Sequence, residues 1–137
     1  MITRSSCLFY FEQAIWLQTL LLDGRHPETD QSIIASSIIQ DVREARVADT
    51  FIATEPETSA SYYGMAQRTY TYRDHEVVEH GGQAIGQKSQ IIRVLNEMVG
   101  VAVMVNDEQL GDTCVEVIKW MILDELLGLD PIDWRTR

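Results

Sequence analysis

The feature that most constrains the fold is the apolar spacing between residues 91 and 105, where Ile91, Ile92, Leu95, Met98, Val99, Ala102 and Val105 recur in a heptad-like rhythm. On an α-helix that spacing gathers the side chains on one face, so the stretch predicts a buried helix. Read alone, residues 101–105 also suit a core strand.

Similar spacings occur on either side. Leu8, Phe11, Ile15, Thr19 and Leu22 predict a first helix that stops near Asp23-Gly24, with His26-Pro27 as the break. Ile34, Ile38, Asp41, Val42, Ala45, Ala48 and Ile52 predict a long second helix. Thr54-Glu55-Pro56-Glu57 combines a cap, a first-turn proline and a capping-box glutamate, which predicts a third helix through Tyr62, Tyr63, Ala66, Thr69 and Tyr70 to His80, ended by Gly81-Gly82. The Thr-Tyr alternation at residues 69–73 suits a strand as well. Asn106-Asp107-Glu108-Gln109 then caps a fifth helix that carries Leu110, Cys114, Val117, Ile118, Met121, Ile122 and Leu126, with Gly128 at its left-handed end and Pro131 beyond.

Short connections between long helices favour antiparallel neighbours, so the expected fold is all-α, an up-and-down bundle of four or five helices in a single domain over residues 1–137. The alternative is an α+β fold with a short strand near 69–73 or 101–105. The tail 130–137 holds Trp134, an anchor for docking on this protomer or another.

Charge restricts the partners. The chain carries 21 acidic and 11 basic side chains for a net charge of −10, a field that repels phosphate backbones and anionic lipid and so excludes direct nucleic-acid or membrane-surface binding. Residues 28–58 hold seven acids against Arg43 and Arg46, and residues 106–137 hold eight against Lys119, Arg135 and Arg137, whereas residues 83–105 net +1. Such acidic segments keep a domain dispersed and also fit a basic partner. Cys7 and Cys114 lack metal-ligand spacing and sit among apolar neighbours, which predicts reduced core thiols and, with no leader or membrane-spanning run, a cytoplasmic protein.

Three constellations bear on chemistry. In a helix, His75 and Glu79 lie one turn apart, as do Glu76 and His80, so the cluster could hold a divalent metal with Asp41 or Glu44, or act as acid and base. Neither the ferritin-type Glu-x-x-His nor the HExxH spacing is present. Gly81-Gly82-Gln83-Ala84-Ile85-Gly86-Gln87-Lys88-Ser89 resembles a phosphate loop but fails its spacing, leaving a helix N-terminus near Lys88 as an anion site. Tyr62, Tyr63, Tyr70 and Tyr72 with Arg68 and Arg73 form an aromatic, hydrogen-bonding patch typical of binding surfaces.

These observations favour a non-catalytic protein-interaction module of the inhibitor, immunity or adaptor type, homo-oligomeric, with no cofactor and a protein partner of basic character. The alternatives are a metal-dependent or acid-base enzyme built on His75–His80 and a binder of small anionic ligands through Arg68, Arg73 or Lys88 and the tyrosines.

Overall fold

The computed structural model describes residues 4–53 and 55–136; Cys7 and the other side chains of residues 4–10, and the capping role expected of Thr54, fall outside that description. Its elements are α1 (Arg4–Leu21), α2 (Ser36–Arg43), β1 (Val47–Thr50), β2 (Ser61–Tyr63), β3 (Arg68–Tyr72), β4 (His75–Ala84), β5 (Gln87–Val94), β6 (Val99–Val105) and α3 (Gly111–Leu126), followed by a single 3-10 turn at Trp134–Thr136. The fold is α+β, and the all-helical bundle is overturned. Six antiparallel strands form one sheet in the order of the chain, and strands at 68–72 and 99–105 are two of them. Among the described residues, no helix is long and apolar enough to cross a membrane.

The heptad-like rhythm of residues 91–105 comes from two strands joined by a four-residue turn. Of the residues in that rhythm Ile92, Val99 and Val105 face α3, Ile91 and Ala102 face the other side of the sheet, and Leu95 and Met98 lie in the turn, so two strands and a turn together imitate a period of 3.5. The long second helix divides in the same way, into the two turns of α2 and the strand β1. The third helix does not form because Tyr70 and Tyr72 alternate inward with Thr69 and Thr71 between them, a strand pattern rich in β-favouring side chains.

Tight turns set the register. Between Tyr72 and His75 the two turn residues Arg73 and Asp74 both have positive φ, 45° and 70°, the two-residue hairpin geometry that matches strand twist. Between Ala84 and Gln87 the turn is Ile85-Gly86, with φ of 72° at Gly86. The glycine-rich segment 81–89 is therefore a β-hairpin in which no helix begins; the helix N-terminus beside Lys88 is that of α3, where Asp112 takes its ammonium at 2.9 Å.

The sheet is covered on both faces. On one, α3 and the 3-10 turn bury Val115, Trp120, Leu123 and Trp134 against Tyr70, Tyr72, Val77, Ile92, Val94, Val101 and Val103. On the other, α1 lies so close to β6 that a side chain on Gly100 would stand 2.7 Å from Leu17. Arg93 is buried on that face, its guanidinium donating to the Leu20 carbonyl at 3.4 Å and to Gln67 Oε1 at 2.5 Å. Burial, and then the charge of Arg43, lowers its pKa to about 10.

The C-terminal tail docks on its own protomer through one carboxylate. Asp124, 2% exposed, accepts hydrogen bonds from Tyr72 Oη, from Arg73 Nη1 at 3.1 Å and from Trp134 Nε1 at 3.0 Å. Around it Tyr72 stacks on Trp120 with ring centroids 4.1 Å apart, and Trp134 lies 5.8 Å from Trp120. Removing a buried acceptor strands its donors. Asp124→Ala is therefore expected to lower the unfolding free energy by about 3 kcal/mol or more, read from urea denaturation, with Trp134 becoming solvent-exposed in fluorescence quenching.

Candidate functional site

The strand pairing decides where the polar side chains go. Arg68 lies opposite Glu79, and Tyr70 opposite Val77, so Arg68, Tyr70, Val77 and Glu79 share the face covered by α3. Lys119 approaches from α3 at the same level. Its side chain is 1% exposed, and it is the only Lys or Arg between Arg93 and Arg135. A buried ammonium needs partners. Lys119 Nζ donates to Glu79 Oε2 at 3.2 Å and to a Glu116 carboxylate oxygen at 2.8 Å, and lies 4.2 Å from the centre of the Trp120 ring.

Glu79, 5% exposed, is the hub. It accepts from Tyr70 Oη at 2.9 Å and from Arg68 Nη1 at 3.4 Å as well as from Lys119. Arg68 Nε also pairs with Asp49 Oδ2 at 2.8 Å, and that carboxylate accepts from Ser61 Oγ at 3.0 Å. The network thus runs from β1 and β2 across β3 and β4 to α3. Burial, reinforced by the Glu79 carboxylate, pushes the Tyr70 phenol well above its usual range.

Beside this network opens a cleft of about 220 Å³, lined by Thr50, Glu55, Thr58, Ser59, Ser61, Arg68, Tyr70, Glu79, Glu116, Lys119 and Trp120. Its three carboxylates outnumber its two cations, and both cations are already paired. The hydroxyls of Thr50, Ser59 and Ser61 stand at the β1–β2 side. Directly after Thr50 come Phe51 and Ile52, 87% and 81% exposed.

The other expected site residues disperse. In a strand, residues four apart share a face and residues one apart do not, so His75 and Glu79 face α3 while Glu76 and His80 are exposed on the opposite side of the sheet. His75 Nδ1 sits 2.5 Å from Glu97 Oε1, Glu79 is held by Tyr70 and Lys119, and Asp41 is exposed on α2. The structure does not bring them together, and among the described residues no three His, Cys, Asp or Glu side chains are grouped for a metal ion. Tyr62 is exposed, with Tyr63 next to it on the adjoining side of β2. Tyr72, Arg73 and Trp134 gather at Asp124 instead, and Lys88 is buried and pairs with Asp112 at 2.9 Å.

Of the cleft residues, Arg68, Tyr70 and Glu79 were legible as candidates, whereas Asp49, Ser61, Glu116 and Lys119 were not. A lone Lys inside the apolar stripe of the last helix was the available signal for Lys119. Compared with known proteins, the chain matches no family model and no curated protein.

Two outcomes test the network. Lys119→Met leaves Glu79 buried beside an apolar neighbour and is expected to cost about 3–5 kcal/mol in urea denaturation, most of it recovered when Glu79→Gln is added. Below about pH 10 folded and unfolded chains both keep the Tyr70 proton; above it the unfolded chain loses the proton first, so this contribution to stability falls as pH rises. The stability difference between wild type and Tyr70→Phe is expected to shrink above that pH, measured by denaturation at stepped alkaline pH.

Proposed function

We propose that the protein is a non-catalytic interaction module that takes a basic side chain of another protein into the cleft, with Phe51 and Ile52 holding the apolar residues beside it. The observation that carries this reading is the exposure of those two side chains directly after Thr50, a residue that lines an acidic cleft. Scattered apolar exposure is ordinary, but two adjacent large side chains almost wholly in solvent next to a polar cavity mark a contact surface.

The chemistry of the cleft agrees. Glu79 has its donors in place and Lys119 is pinned between two carboxylates, so neither is a free base or nucleophile, and the pair acts as a rigid wall. A surplus of carboxylate, with hydroxyl acceptors at the β1–β2 side, suits an arriving ammonium or guanidinium. It disfavours the small anionic ligand. From the acidic segment 28–58, Glu55 lines the cleft and Asp49 pairs with its Arg68, and the net charge of −10 favours a basic partner and opposes nucleic acid.

The test uses short unstructured peptides in which Lys or Arg stands next to Ile, Leu or Phe, against the same peptides with Glu in place of the basic residue. Binding of the basic set in the micromolar range, weakening with salt, is expected by isothermal calorimetry. Phe51→Ser/Ile52→Ser is expected to weaken it about tenfold or more without moving the melting temperature, since both side chains are exposed. Equal binding of the Glu peptides, or indifference to the double substitution, would overturn the reading.

A further inference from the structure

A different surface, independent of the cleft, points to a second copy of this chain. Strand β6, Val-Gly-Val-Ala-Val-Met-Val, pairs with β5 on one side and ends the sheet on the other. Among the described residues, no backbone hydrogen bond from outside the sheet reaches residues 99–105. An edge strand presents unpaired N–H and C=O groups along its length, and folds blunt such edges with lysine, proline, bulges or brevity. The other edge, β1, is four residues long, irregular between Ala48 and Thr50, and carries Asp49. None of those devices is present in β6, which is seven residues long and uncharged.

The helices beside this edge are also incomplete. Trp120 and Asp124 lean toward Tyr72 on β3. Residues two positions away lie about 160° round a helix, so Ile118 and Ile122 turn from β3 toward the β6 side, and Leu126 follows one turn on. They are 40%, 38% and 53% exposed, and on the opposite face of the sheet α1 exposes Phe11, Trp16 and Leu22. Exposed apolar side chains gathered beside one border are normally covered.

We propose that two copies join β6 to β6 in antiparallel fashion about a two-fold axis, making one twelve-stranded sheet. Antiparallel self-pairing is the arrangement a two-fold imposes, because each strand then offers its partner the same row of groups. Since α3 packs over both β5 and β6, and strands are about 4.8 Å apart, the two α3 helices come to lie about 10 Å apart, within helix-packing distance. Ile118 and Ile122 then meet their symmetry equivalents. β6 itself carries no charged side chain to repel its equivalent. The area also suffices. A side wall as long as the 16-residue α3, about 24 Å, and three layers or about 30 Å high, offers about 700 Å² per copy, near the roughly 800 Å² of a stable interface.

Sedimentation equilibrium of the full chain, with amide hydrogen exchange of Val99–Val105, tests this. A dimer is expected at tens of micromolar, with every β6 amide slow to exchange. Ile118→Glu/Ile122→Glu is expected to raise the dimer dissociation constant about a hundredfold or more with unchanged far-ultraviolet circular dichroism, and to release alternate β6 amides to fast exchange. A monomeric wild type overturns the proposal. So does a dimer whose alternate β6 amides exchange as fast as in the variant, because its interface then lies elsewhere.

Discussion

A charge taken out of water must find its opposite, and Lys119 meets that requirement at Glu79. Much of the structure can be read as the geometry that lets it do so. Glu79 reaches α3 in the registered pairing of Arg68 with Glu79, since a slip of one residue would turn Glu79 to the far face and bring Val78 under the helix. The polar contacts thus select one register among those that the apolar content of β3 and β4 would tolerate. Apolar burial supplies most of the driving force, and this network makes the result unique.

The two ends of the chain were more legible than the middle. The 18 residues of α1 and the 16 of α3 carry apolar side chains at three- and four-residue intervals over several turns, too long for strands of ordinary length. Between them, from β2 to β6, strands of three to ten residues follow one another through turns of two to four residues, and each turn resets the phase of alternation. Summed over two strands, Ile91 to Val105 therefore mimics a helix, and the same mistake made a helical surface of His75 to His80. The turn residues could have corrected it. Arg73-Asp74 and Ile85-Gly86 stand between stretches rich in Val, Ile, Thr and Tyr, which is a hairpin signal in spite of the absence of Asn-Gly. For the cleft, sequence exposes the residue types but not their partners. Glu79 and Lys119 are 40 positions apart and meet by tertiary packing, which no local spacing encodes.

The two borders of the sheet are built to different rules. At β1 the strand is short, irregular and acidic, and it leads into Phe51 and Ile52 beside the cleft. At β6 the strand is longer, neutral and apolar, with helices whose exposed side chains extend past it.

The order of the strands in the sheet has a kinetic meaning. Since every strand pairs with its neighbour in the chain, the sheet can assemble by successive hairpins, each closing a short loop at small entropic cost, and mean sequence separation between contacts stays low for a protein with this much sheet. Two long-range steps remain: the packing of α1 on β5 and β6, and the arrival of α3, which brings Lys119 to Glu79 and Asp124 to Tyr72. During synthesis the strands leave the ribosome before that helix does, so a nascent chain with β1–β6 formed holds a carboxylate and a row of valines uncovered until α3 follows. The helix α3 is then the latch of folding, fastened by the bond of Trp134 to Asp124.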